Sequence, residues 1–173
     1  MFIFIAGTAG SGKSEYAEHR ALGLSPESLY IATAEVRDAD MLRKVELHRK
    51  RREGTGFTTI ERPRNLGGLE LPEDSCVLIE SLTVWLANEM FTAGGVNHDA
   101  GGKVCSDFLR IRERVKHVVL VSDDVFSDGR DYDPLTEEYL RTLGGLHVRL
   151  AALADEVIEC VSGIPLQYTI ICS

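Results

Sequence analysis

The chain has 173 residues, 44% of them hydrophobic and 27% charged, with a formal net charge of −8 at pH 7. That length suits one domain, spanning residues 1–173, with a substantial buried core. The acidic balance works against broad binding to nucleic acid or to an anionic membrane, because both draw on a basic surface.

The first apolar run, Phe2–Ala6, is too short to span a membrane. It lacks the charged front of a signal peptide and meets a glycine-rich turn at once, so it reads as a buried strand. A helix is expected over Lys13–Leu22, a strand over Ser28–Thr33, a helix over Ala39–Arg52, and strands over Phe57–Glu61 and Cys76–Glu80. A helix over Leu82–Phe91 follows. The stretch from Thr92 to Val104 holds Gly94, Gly95, Gly101 and Gly102 with Asn97, His98 and Asp99, too little apolar content to pack, and is expected to be a mobile surface connection. Beyond it come a helix over Ser106–Arg114, a strand over His117–Ser122, a helix over Thr136–Leu153 and a strand over Glu156–Val161. A last apolar run, Tyr168–Cys172, is expected as an edge strand. Short apolar runs alternating with helices are the mark of a parallel sheet covered on both faces. The expected fold is therefore α/β, a three-layer sandwich around a mostly parallel sheet.

Cys76, Cys105, Cys160 and Cys172 are far apart, without a CxxC pair or a Cys/His cluster at zinc-site spacing. Reduced thiols in a cytoplasmic protein are the expectation.

Gly7-Thr8-Ala9-Gly10-Ser11-Gly12-Lys13-Ser14 matches GxxxxGK[ST] in full, between an expected strand and an expected helix. Such a loop turns backbone N–H groups inward around phosphate oxygens, and the helix N-terminus adds positive potential at the same place. Lys13 is expected to reach the β and γ phosphates and Ser14 to ligate Mg²⁺. The second magnesium ligand is expected at the C-terminal end of a neighbouring buried strand, the position of Glu80 after Cys76-Val77-Leu78-Ile79. Glu61 closes Phe57–Glu61 in the same way, with a weaker case. The NKxD signature of guanine-reading switch proteins is missing. A small-molecule kinase fits the size better.

Tyr30-Ile31-Ala32-Thr33-Ala34 and then Lys44-Val45-Glu46-Leu47-His48-Arg49-Lys50-Arg51-Arg52 make the reading specific. Together with the loop, Leu86-Ala87-Asn88-Glu89-Met90-Phe91, Val119-Leu120-Val121-Ser122, Ala154-Asp155-Glu156-Val157 and Ser162-Gly163-Ile164-Pro165, the chain resembles the adenosylcobinamide kinase / adenosylcobinamide-phosphate guanylyltransferase family of cobalamin biosynthesis. Read without that resemblance, a histidine among arginines and lysines is a solvated helix face. The resemblance makes His48 the residue that carries GMP. Neighbouring cations depress an imidazole's pKa and pair with triphosphate oxygens, and spacing places Arg51 and Arg52 closest to its face. His19, His98, His117 and His147 read as structural or exposed.

The resemblance implies a bifunctional transferase using GTP, ATP and Mg²⁺. A nucleoside triphosphate would phosphorylate adenosylcobinamide, and His48 would then pass GMP from GTP to the product, giving adenosylcobinamide-GDP. It places the nucleotide contacts on Gly7 to Ser14, on Ala32, Thr33 and Ala34, on Arg49, Lys50, Arg51 and Arg52, and on Glu61 and Glu80. It implies a homo-oligomer, a trimer; the expectation of no nucleic-acid and no membrane partner comes from the acidic charge. Where relatives commonly read Asn-Glu-Val, this chain has Asp123-Asp124-Val125, and it has His147-Val148 where an asparagine and a polar residue are usual. The competing readings are a single-activity P-loop kinase with His48 on the surface, and a non-enzymatic module that senses GTP.

Overall fold

A computed structural model describes residues 1–35, 43, 50, 52, 54–126 and 129–168. The strands are β1 (Phe2–Gly7), β2 (Ser28–Ala32), β3 (Phe57–Glu61), β4 (Cys76–Glu80), the short pair β5 (Phe91–Thr92) and β6 (Gly95–Val96), β7 (His117–Asp123), β8 (Glu156–Val161) and β9 (Ile164–Tyr168). Four helices whose limits are fully described are α1 (Lys13–Leu24), α2 (Leu82–Met90), α3 (Ala100–Arg114) and α4 (Pro134–Leu153). Arg43, Lys50 and Arg52 are also helical, and the rest of the expected Ala39–Arg52 helix lies outside the described residues.

Seven strands form one sheet in the order β3-β2-β4-β7-β1-β8-β9. Its pairings are parallel except for β8 with β9. Apolar side chains alternate between the two faces and build a core on each. Ile3, Ile5, Leu78, Val119 and Val121 pack with Ala17 and Ala21 of α1. Phe2, Phe4, Val77, Ile79, Val118 and Leu120 pack with Trp85, Val104, Phe108 and Leu146 of α2, α3 and α4. The sheet between these layers is the expected three-layer sandwich.

Two connections differ from expectation. The stretch from Thr92 to Val104 is not a single loose connection: Phe91–Thr92 and Gly95–Val96 pair antiparallel, and α3 already begins at Ala100. Ala100, Val104 and Cys105 are buried on one stripe, and that burial outweighs the low helix propensity of Gly101 and Gly102. A Cβ on Gly101 would lie 2.6 Å from Thr142 Cγ2, so the small residue lets α3 approach α4. The final edge strand is Ile164–Tyr168, reached by a two-residue turn in which Ser162 and Gly163 both have positive φ. Of the expected Tyr168–Cys172 strand, only Tyr168 lies within the described residues. Cys76, Cys105 and Cys160 are buried free thiols, and burial pushes Cys76 and Cys160 upward in pKa.

Candidate nucleotide site

The parallel strands β1, β2, β4 and β7 end at one edge of the sheet, which brings the phosphate loop, Glu80 and Asp123 together. The loop leaves β1 at Gly7, where a Cβ would sit 2.6 Å from Ser11 Oγ and 2.7 Å from the Cys160 carbonyl, so only glycine fits. Gly12 has φ 85° and ends the loop directly before α1. Gly163 N–H donates to the Ser11 carbonyl (2.9 Å) and Asp124 N–H to the Gly7 carbonyl (2.9 Å), bracing the loop from both neighbouring strands. Backbone amides at a helix N-terminus held in this way form an anion cradle.

Lys13 is buried and its ammonium lies 2.8 Å from Asp123 Oδ1 and 3.2 Å from the Thr8 carbonyl. The register pairs Gly7 with Asp123 on β7, so this carboxylate is fixed beside the loop by strand pairing. Ser14 Oγ donates to Glu80 Oε1, and the Tyr30 hydroxyl donates to Glu80 Oε2 at 2.7 Å. Burial, with Glu80 alongside, pushes the Tyr30 phenol above its usual pKa and keeps it a neutral donor. The Glu80–Ser81 peptide is cis.

Thr33 is fully buried. Its hydroxyl donates to the Ser81 carbonyl (3.0 Å) and accepts from Ser81 N–H (2.7 Å), while Asn88 Nδ2 donates to the Thr33 carbonyl (2.8 Å). Thr33 thus fastens the end of β2 to the β4–α2 junction, and Ala32 and Ala34 flank it half-buried. Glu61 lies at the same end of the sheet, exposed on edge strand β3, beyond β2 from Glu80. Lys50 is exposed. Arg52 is buried, with its guanidinium carbon 3.6 Å from the Tyr30 ring centroid and Nη1 3.6 Å from Glu18 Oε1. His48, Arg49 and Arg51 lie outside the described residues.

Two partnerships were not legible from spacing. Asp123 with Lys13 depends on the β1–β7 register, and neither residue's neighbours in sequence hint at it. Tyr30 with Glu80 depends on β2 pairing β4, although period-two alternation already puts Tyr30 on one face of its strand. His147 is partly buried, its Nε2 2.7 Å from Ser122 Oγ, which is itself 3.1 Å from Thr83 Oγ1.

Ser14 and Glu80 offer two hard oxygen donors in contact at the loop, the chemistry that Mg²⁺ takes. Among the described residues no group of three or more His, Cys, Asp or Glu is arranged to hold a metal.

A parallel sheet whose glycine loop carries a buried lysine and a helix-opening serine, faced by a strand-end glutamate, defines a P-loop nucleotide-binding protein. Residues 3–168 match the family model described as cobinamide kinase / cobinamide phosphate guanyltransferase, and the chain belongs to that family. It is 33% identical to the bifunctional adenosylcobalamin biosynthesis protein CobU of Salmonella typhimurium, over 95% of this chain and 97% of the relative. The corresponding CobP of Pseudomonas aeruginosa is 30% identical over 96% of each chain. Escherichia coli CobU is 30% identical over 95% of this chain and 97% of its own. Among solved structures, an ATPase of a bacterial type III secretion system gives a TM-score of 0.45 at 16% identity, covering 91% of this chain and 50% of that one.

Proposed function

We propose that the chain is a bifunctional transferase that phosphorylates adenosylcobinamide and then guanylylates the product. The observation that carries this reading is the convergence of Lys13, Ser14 and Glu80 at the loop, in a chain that matches the family over nearly its whole length.

In the kinase step, the substrate hydroxyl attacks the γ-phosphorus of ATP or GTP and the nucleoside diphosphate leaves. Lys13 exchanges Asp123 for phosphate oxygens, and the loop amides hold the β and γ phosphates in line. Bound at Ser14 and Glu80, Mg²⁺ would neutralise charge shared between those phosphates. In the second step, the His48 imidazole attacks the α-phosphorus of GTP, pyrophosphate leaves, and a phosphoramidate to GMP forms. The phosphate of the kinase product displaces His48 and takes the GMP. Arg49, Lys50, Arg51 and Arg52 are the cations proposed to offset triphosphate charge, with Ala32, Thr33, Ala34 and Glu61 as further nucleotide contacts. Lys50 is exposed, and Arg52 would act from its place on the Tyr30 ring. A homo-oligomer, a trimer, belongs to the same proposal, and the exposed Ile164, Leu166 and Tyr168 on the edge strand support a protein partner.

The test is incubation with GTP labelled at the α-phosphate, followed by mass mapping of the adduct. The expected outcome is acid-labile, base-stable GMP on His48. His48→Ala should abolish labelling while leaving phosphoryl transfer to adenosylcobinamide within a few-fold, roughly 1 kcal/mol of barrier. Undiminished labelling in that variant removes His48 from the mechanism.

A further inference from the structure

Glu80 uses both carboxylate oxygens, and only one of them faces the phosphate loop. Oε1 accepts from Ser14, which opens α1, while Oε2 accepts from the Tyr30 hydroxyl at 2.7 Å. The sheet dictates this division. Tyr30 pairs with Leu78 across β2 and β4, so Glu80, two residues further along β4, lies on the same face and diagonally opposite. A tyrosine is long enough to bridge that diagonal.

The ring is itself clamped. It is 5% exposed, meets Phe57 edge-on at 5.9 Å between centroids, and carries the Arg52 guanidinium on its face. Among the described residues Arg52 Nε and Nη1 have no hydrogen-bond partner, and the guanidinium lies on the Tyr30 ring with the Glu18 carboxylate 3.6 Å from Nη1. Tyr30 is therefore anchored on both sides and has its hydroxyl aimed at one oxygen of Glu80.

We propose that Tyr30 is a positioning residue for the divalent cation of the nucleotide site: its hydroxyl occupies Glu80 Oε2, fixing the carboxylate so that Oε1 is presented beside Ser14. This rests on the reading of Ser14 and Glu80 as the cation site. Partners that orient a ligating carboxylate typically contribute about 10- to 100-fold to metal affinity. Tyr30→Phe removes the hydroxyl and keeps the ring under Arg52.

The experiment measures binding of a fluorescent GTP analogue to the full chain across a Mg²⁺ titration, with Glu80→Gln in parallel. Mn²⁺ binding in the presence of GTP, followed by its EPR signal, gives a direct metal readout. For Tyr30→Phe the expected result is nucleotide affinity without metal unchanged within about two-fold, and a midpoint for the metal effect raised about ten-fold. A Tyr30→Phe titration that overlays wild type overturns the proposal. Equal weakening with and without metal also overturns it, in favour of a purely structural tyrosine. If Glu80→Gln shifts the metal midpoint and Tyr30→Phe does not, the positioning role alone fails; if neither does, the cation-site reading falls with it.

Discussion

His147 shows how a single side chain near the loop makes stability depend on pH. Its imidazole lies between Phe4 and Phe126, with ring centroids 5.2 Å and 5.3 Å away, and its Nε2 meets Ser122. Burial lowers its pKa below the ordinary 6.5, outweighing Asp124 and Asp123, which pull the other way. A depressed histidine means that the unfolded chain binds the proton more readily. The stability from holding the ring neutral is thus fully present above 6.5 and is lost as the pH falls through the lower folded value. His117 is lowered too and contributes the same sign in any variant that keeps it. Thermal melts from about pH 7.5 to about pH 5.5 should therefore show a smaller loss for His147→Asn than for the parent. Equal losses would assign the acid sensitivity to other groups.

At the scale of elements, α3 is tied to α2 through ionic groups rather than apolar contact alone. Lys103 donates to Glu89 Oε1 and to Asp107 Oδ2, both at 2.8 Å, and both carboxylates are buried. Burial works against the ammonium, but the two acids outweigh it and raise its pKa. Asn65 N–H also donates to Glu89 at 2.7 Å, so the connection after β3 is held by the same group. Removing Lys103 leaves two buried carboxylates without their cation; because the ammonium is itself a third exposed, the cost is about 1–3 kcal/mol, below that of a fully buried pair. Lys103→Met should accordingly lower the urea midpoint by that equivalent; a change under about 1 kcal/mol would mean that solvent compensates the acids.

The same segment marks where patterning reached its limit. The buried strands Phe2–Gly7, Cys76–Glu80 and His117–Asp123 announce themselves as apolar runs between turns. The start of α3 does not, because two glycines and a run of polar residues precede the stretch Ser106–Arg114 expected as helix. Gly101 lies against Thr142 of α4, a tertiary contact that spacing does not show. α4 begins at Pro134, where Asp133 accepts from the N–H groups of Leu135 and Thr136; the Asp-Pro start carries that signal in sequence. Likewise the loop, Ser14 and Glu80 follow from a motif and a strand end. Asp123 and Tyr30 need to know which strands are neighbours.

For the whole molecule, the phosphate loop is where three strands and one helix meet. It is held to β7 through the Gly7 carbonyl and to the β8–β9 turn through the Ser11 carbonyl. A nucleotide seated there binds only the folded chain, so its binding free energy adds to the stability of the fold. At a hundred times Kd the gain is about 2.7 kcal/mol. For a chain of this length, each kcal/mol shifts the melting midpoint by about 2–4 °C, which sets an expected rise of about 5–10 °C with saturating GTP. Lys13→Ala removes the loop's buried cation and frees Asp123 to oppose the phosphates with its own charge. That variant should melt cooperatively without ligand yet lose most of the GTP-induced rise, measured against its own unliganded midpoint. If Lys13→Ala gained the full rise, the triphosphate would be seated elsewhere on the chain, and the convergence at the sheet edge would have no part in holding it.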